Sequence, residues 1–318
     1  MSHEGGAATK GGDFAQNPWF SRGAKTRILG RPKQGFAMPK KRVAGGLIAG
    51  ALMLCVAAGP MFAAAKNAGA SDEAPPDLSG VWIRTGEPHF DPVPGAKAGA
   101  PIARLKVDSK DAEEIMAGDW QNPILQPWAR AIVKKNAESE IALNHVFQAD
   151  DSCWPVAVPA ILNLREAVQI LQNKDSVTIL YQRDHQFRRI WLNRNHSAHV
   201  EPSWYGESVG HYEGDTLVVD TIGIKAAAMS FVDPYGTPHT DKLHVVERYR
   251  PIKDDKGKGV AVTLRVEDPG AFTQPWEGQL AYRPNRKPEL EEVICAENNI
   301  GFAGEQFGPT PEEKHSPF

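Results

Sequence analysis

The sequence lacks most local signatures of a common chemistry. Its 318 residues contain no Gly-rich phosphate loop, no dinucleotide fingerprint and no EF-hand loop. It also lacks an excess of either charge. Lys+Arg 36 against Asp+Glu 39 gives a net charge of -3, which offers no broad basic surface to nucleic acid. Cysteine is scarce, at Cys 3. That is too few for a disulfide-dense scaffold or a thiolate zinc module. There is one long apolar run, residues 43–62, and beyond residue 76 there is neither a repeat nor a low-complexity tract.

That apolar run has the layout of an export signal. Met38-Pro39-Lys40-Lys41-Arg42 is a basic n-region, 43–62 is apolar and rich in small residues, and Ala63-Ala64-Ala65 supplies an A-x-A cleavage site. The competing reading is a membrane anchor, which the interspersed Gly, Pro and Ala weaken. Bulky Leu54 before Cys55 argues against lipoprotein processing. Residues 1–37 are polar, Gly-rich and basic, and read as a disordered extension or as sequence ahead of a true start at Met38. The expected order is extension 1–37, signal 38–65, linker 66–76, one β domain 77–300 and an irregular tail 301–318. The mature protein is then periplasmic or secreted, without a stable membrane span. Cys55 departs with the signal, leaving Cys153 and Cys295 as a pair in an oxidising compartment. One disulfide is expected, with two buried thiols as the alternative.

After the linker, alternation with period two dominates. Residues 204–221, WYGESVGHYEGDTLVVDT, read as two strands around a Glu213-Gly214-Asp215 turn. Val260, Val262, Leu264 and Val266 alternate with Ala261, Thr263, Arg265 and Glu267, the pattern of a half-buried strand. Further strands are expected at 77–82, 167–171, 176–182, 187–192, 242–250, 277–283 and 289–295. Two helices, 109–117 and 127–139, are expected to pack outside the sheet. Ser109 is a plausible N-cap of the first. Pro127 starts the second, with Trp128, Ile132 and Val133 as its apolar stripe. The fold class is therefore mainly β, an antiparallel lipocalin-like barrel or twisted sandwich with two short helices inserted after the first strand.

The stretches GESVGHYEGDTLVVDTIG, GTPHTDKLHVVERYR, EDPGAFTQPW and ELEEVICAENN, with an opening DLSGVW and a CxP loop, resemble a large and mostly uncharacterised family of exported bacterial proteins. The likeness spans 77–300. It implies export, one domain and the cysteine pair, and brings no reaction with it. The opening Gly80-Val81-Trp82 also resembles the Gly-x-Trp of lipocalins, where the tryptophan plugs one barrel end.

Candidate chemistry lies where polar residues fall on apolar faces. Phe187, Arg189 and Trp191 share one side of a strand, and Leu243, Val245, Glu247 and Tyr249 share one side of another. If both sides face inward, Arg189 and Glu247 are interior charges that must satisfy one another or anchor a ligand. His196, His199, His239 and His244 stand near strand ends, where an imidazole can act as acid or base. Gly206-Glu207-Ser208-Val209-Gly210 matches G-x-S-x-G by letter, but its flanks are strands rather than the strand–turn–helix that motif requires.

The leading expectation is a carrier of a small apolar or aromatic molecule inside the barrel, with Arg189 and Glu247 fixing its polar end and Trp204, Tyr212, His244 and Tyr249 as ligand-binding residues. The alternatives are a cofactor-independent lyase, isomerase or hydrolase, or a structural envelope protein. The enzyme would use His239 or His196 as base, Glu247 as orienting group and Arg189 as oxyanion stabiliser. No metal and no organic cofactor is expected, nor any nucleic acid. The partner is a small molecule, and the sequence leaves the oligomeric state open.

Overall fold

The computed structural model describes residues 75–295, apart from 111, 113, 114 and 147. The expected extension, signal, most of the linker and the tail lie outside the described residues. In chain order come β1 (Gly80–Thr85), β2 (Asp91–Pro92), α1 (Pro127–Ile141), β3 (Val168–Gln172), β4 (Ser176–Tyr181), β5 (Phe187–Leu192), β6 (Glu207–Glu213), β7 (Thr216–Ile222), β8 (His244–Asp254), β9 (Gly257–Glu267) and β10 (Trp276–Pro284).

The sheet order is β1-β3-β4-β5-β6-β7-β8-β9-β10, and β1 also pairs with β10, so 9 strands close into a mixed barrel. Closure leaves those strands no open edge. The short β2 hangs on β10. A ring with an odd number of strands cannot alternate direction all the way round. The parallel pair is β5–β6, registered at Ile190↔Ser208, while the other pairs are antiparallel. Residues 193–206 make the crossover that a parallel pair needs. The all-antiparallel expectation is corrected at this one seam.

Alternation fills the interior. Val260, Val262, Leu264 and Val266 are all buried, as are Val245, Glu247 and Tyr249 on β8 and Leu217, Val219 and Thr221 on β7. Each fully buried Val or Leu contributes about 1.5–3 kcal/mol, so this inward stripe is the main support of the sheet. Trp82 faces inward and donates its indole N–H to Leu78 O at 2.9 Å. The expected 204–221 hairpin forms with Glu213 opposite Thr216. Its glycines have separate tasks. Gly206 has φ +63, and a Cβ there would stand 2.3 Å from Ile222 O. Gly210 faces inward, where a Cβ would meet Ile190 Cγ2 at 2.9 Å.

Three expected elements differ. The described residues of 109–117 form a turn and extended chain. A cap and an acidic first turn favour a helix there, yet the buried residues Ile115 and Ala117 do not lie on one helical face. Residues 289–295 run irregularly with a single bridge, Val293 to Arg183. α1 begins at Pro127 as expected, but its buried face is Ala129, Val133 and Ala137, and Trp128 is exposed. Nor does it lie on the sheet. It meets the loops at one end of the barrel, where Trp128 Nε1 donates to Gly270 O at 2.7 Å and Asn136 Nδ2 to Gly236 O at 3.0 Å. Cys153 and Cys295 form a disulfide with Cα atoms 5.5 Å apart. No helix among the described residues is long and apolar enough to cross a membrane.

Candidate functional site

The interior charge cluster exists, with a different arginine. β5 turns Arg188, Ile190 and Leu192 inward, and leaves Phe187 and Arg189 exposed. The expectation for Arg189 is therefore off by one residue, which on a strand exchanges the two faces. Arg188 Nη1 and Nη2 donate to Glu247 Oε1 at 3.0 Å and Oε2 at 2.5 Å. Its Nε donates to Ser208 Oγ at 2.9 Å, and Nη2 also to Thr221 Oγ1 at 2.7 Å. Tyr249 Oη donates to Glu247 Oε1 at 3.1 Å. Burial pulls the guanidinium's pKa down, but the charge and hydrogen bonds of Glu247 more than reverse this and raise it above its ordinary value. The same burial raises the Tyr249 phenol. Arg188, Glu247, Ser208, Thr221 and Tyr249 answer one another in the lumen, so the cluster is a structural ion pair, and the Arg189–Glu247 anchor expected for a ligand inside the barrel does not form.

A second cluster lies on the outer face. His196 Nε2 and His244 Nε2 both bond Asp220 Oδ1, at 3.0 and 2.9 Å. His196 Nδ1 lies 3.5 Å from Glu207 Oε1, which also accepts the Ser197 N–H at 2.8 Å. Four segments build the cluster. Asp220 is on β7, His244 opens β8, Glu207 opens β6, and His196 comes from the crossover between β5 and β6. The pairing Thr221↔Val245 sets Asp220 diagonally across from His244 on the outward side. Asp220 titrates below the usual carboxylate range, chiefly through its bond to His244. His244 is raised in turn, chiefly by Asp220 and against the opposing effect of burial. Glu207 is also lowered: desolvation acts upward, and the Ser197 bond and His196 outweigh it.

Beside this cluster, β5 and β6 part before their pairing begins and leave a groove of 260 Å³. Phe187, Arg189, Trp191, Tyr205 and Glu207 line it. The Arg189 guanidinium sits 5.1 Å from the centre of the Trp191 ring, and that of Arg194 sits 3.7 Å from it. Tyr205 stacks on Tyr181 at 6.2 Å, and its hydroxyl is buried without a hydrogen-bond partner among the described residues. The groove thus joins aromatic walls and a cation that makes no ion pair among the described residues.

The remaining candidates lie apart. His239 is buried in the β7–β8 loop, where Ser230 Oγ and its Nε2 are 2.7 Å apart and its Nδ1 lies 2.9 Å from Thr240 O. Burial lowers its pKa. Ser230 is itself buried, so the pair pins the loop. Tyr212 lies at the opposite barrel end, in a cavity of 570 Å³, and accepts a bond from Gln172 Nε2 at 2.8 Å. Polar groups around that mouth hold one another: Gln172 also bonds Pro76 O and the Leu78 amide, and Asn173 Oδ1 holds the Asp175 and Ser176 amides. Trp204 is half-buried, 5.9 Å from the Trp154 ring. Glu247 and Tyr249 belong to the lumen.

The structure thus brings His196 and His244 together, with Arg189 in the adjoining groove. Sequence reasoning missed Asp220 and Glu207 as site residues. Asp220 carries a usable signal, a carboxylate ending an apolar strand, but only register shows which histidines it meets. Among the described residues no group of three or more His, Cys, Asp and Glu is arranged to hold a metal ion. Comparison with family models, with curated proteins and with solved structures finds no match in any of the three.

Proposed function

We propose that this is an exported small-molecule-binding β-barrel protein, periplasmic or secreted, whose ligand lies in the outer groove between β5 and β6. The ligand is a small aromatic molecule carrying an anionic group. Trp191, Phe187 and Tyr205 line it with aromatic rings, and Arg189 brings a charge that makes no ion pair among the described residues. The observation that carries the reading is this uncommitted valency. Glu247 in the lumen and Tyr212 at the barrel mouth are bonded to Arg188 and Gln172, whereas Arg189 in the groove makes no ion pair among the described residues. Resemblance to the exported family supports the location.

The second reading is a cofactor-independent enzyme. It is favoured by two imidazoles that share one carboxylate oxygen at the edge of the same groove. In it, Asp220 orients His196 and His244, and one of them moves a proton on the bound molecule. Native mass spectrometry of the mature protein, isolated from its own envelope, tests the proposal. A retained aromatic acid supports it. Protein that is ligand-free and remains so when titrated with benzoate and 4-hydroxybenzoate contradicts it and returns the chain to a structural role.

A further inference from the structure

Within the closed ring, the parallel seam carries a short gap. β5 pairs with β4 along its length, from Leu180↔Phe187 to Ser176↔Trp191, but meets β6 only from Ile190↔Ser208 onward. Tyr181 N–H donates to Gln186 O, and antiparallel alternation from that pair turns the Phe187 and Arg189 N–H groups away from β4, toward the groove. A strand stretch unpaired on one side can accept a further extended segment. Its flanks are aromatic and cationic. Phe187 is exposed, and the Arg189 and Arg194 guanidinium groups lie 5.1 and 3.7 Å from the centre of the Trp191 ring. Cys295, the last described residue, is fixed near one end of this stretch. The disulfide ties it to Cys153, its amide donates to Asp184 Oδ1 at 2.7 Å, and Val293 O accepts the Asp184 N–H at 2.8 Å. Asp184 precedes Phe187 by three residues, at most about 11 Å of chain. The segment that follows Cys295 therefore starts beside the groove.

We propose that the chain carries its own occupant for this gap: the stretch around Phe302, Glu305 and Phe307 docks in the outer groove as an extended strap, which a ligand must displace. The inference rests on the groove being the ligand site, and adds a competitor built into the protein. Length permits it. Phe302 and Phe307 follow Cys295 by seven and twelve residues, a reach of at most about 25 and 43 Å. The unpaired stretch of β5 spans only about 10 Å. Composition matches too. Residues 296–318 hold Phe302, Phe307 and Phe318, with Glu297, Glu305, Glu312 and Glu313 set against Lys314. That repeats, in one segment, the aromatic and anionic chemistry the groove asks of a free ligand. Gly301, Gly304 and Gly308 disfavour a helix, which suits an extended strap. Glu207, the acid in the groove, is held by the Ser197 N–H at 2.8 Å and lies 3.5 Å from His196 Nδ1, so it leaves Arg189 to Glu305. Tethering gives the strap an effective concentration in roughly the millimolar range, so weak contacts suffice.

The test compares the full mature protein with its Phe302→Ser/Phe307→Ser variant by NMR, without and with benzoate. Both positions lie outside the described barrel, and unchanged β8 and β9 amides report the same fold. Without benzoate, the variant should shift the Trp191 indole and the Phe187 and Arg189 amides, by the same amount at every protein concentration. Benzoate should then bind the variant about fivefold more tightly, the gain expected if the strap fills the groove roughly four-fifths of the time. Identical unliganded signals at those three positions overturn the inference, and benzoate binding to both proteins in that case leaves the ligand reading intact. A shift that depends on protein concentration also overturns it, in favour of a segment from a second copy. Groove shifts with no benzoate binding to either protein retain the strap and remove the ligand reading instead.

Discussion

Arg188 and Glu247 meet inside the barrel from strands separated by two others, and they join in a two-point ion pair with side-chain exposures of 1 % and 0 %. Ser208 and Thr221, on the two intervening strands, take the remaining guanidinium contacts. One polar network therefore ties together the strands on both sides of the parallel seam. Charges so placed cannot be separated cheaply, although their net value against apolar replacements is small.

The first prediction follows from that asymmetry. Glu247→Leu or Arg188→Met alone leaves one buried charge uncompensated and should cost about 3–5 kcal/mol. The double variant Arg188→Met with Glu247→Leu should recover most of that loss. Denaturant unfolding of all four proteins measures the coupling. Additive losses would show that the two side chains act independently.

The groove gives the second prediction. Arg189→Ala should weaken binding of benzoate or 4-hydroxybenzoate by about 10- to 100-fold, the range of a charge-assisted hydrogen bond. Trp191→Ala should weaken it by a smaller factor, about 2- to 10-fold. Glu247→Gln, where it folds, should leave affinity unchanged, because Glu247 is committed to the lumen. Calorimetric titration distinguishes the three.

The outer cluster gives a pH dependence. His244 is raised above its ordinary 6.5, so its contribution is complete below that value and fades as pH rises through the raised one. Asp220 is lowered from 3.8, so its contribution is present above that value and fades as pH falls through the lowered one. The pair therefore stabilises most between about pH 4 and 6.5. Asp220→Asn should return the His244 titration, read from its imidazole proton shifts, toward its ordinary range. An unchanged titration would separate the two residues in solution.

A second histidine sets a broader window. Hydrogen bonds from Asp151 and Glu140 push His145 up to about 10. Its contribution is whole below pH 6.5 and declines between there and about 10. The melting temperature of His145→Gln should therefore converge on that of the wild type as pH climbs through this range. A constant gap would contradict the assignment.

Much of the sheet was legible because burial on one face writes itself as period two. Val260 to Val266 show it plainly. Legibility failed where two like residues stand side by side. In Phe187-Arg188-Arg189-Ile190-Trp191-Leu192, aromatics frame Arg189 and aliphatics frame Arg188. The aliphatic face is the inner one here, because Trp191 stacks under two guanidinium groups outside. The outer cluster was half legible. His196 and His244 stood out as histidines near strand ends, but the carboxylate joining them depends on register, which the hydrophobic pattern of neither strand records. The 109–117 helix was expected from capping residues alone, without an apolar stripe to hold it.

The disulfide has a separable consequence. Residues 153 and 295 enclose a separation of 142, for which chain entropy assigns about 4–5 kcal/mol. The closing segment is also docked by the Cys295 amide on Asp184 Oδ1 at 2.7 Å. Reduction should lower the denaturation midpoint without removing the barrel's circular dichroism. Unchanged stability on reduction would mean that those noncovalent contacts alone define the ends.

The most direct test of the central claim is a backbone and indole NMR footprint of the full mature protein saturated with benzoate. The account predicts shifts at the Trp191 indole and at the Arg189, Tyr205 and Glu207 amides, with a smaller response at His196. A footprint at Tyr212 and Gln172 in the barrel mouth, or none at any concentration short of nonspecific binding, would contradict it.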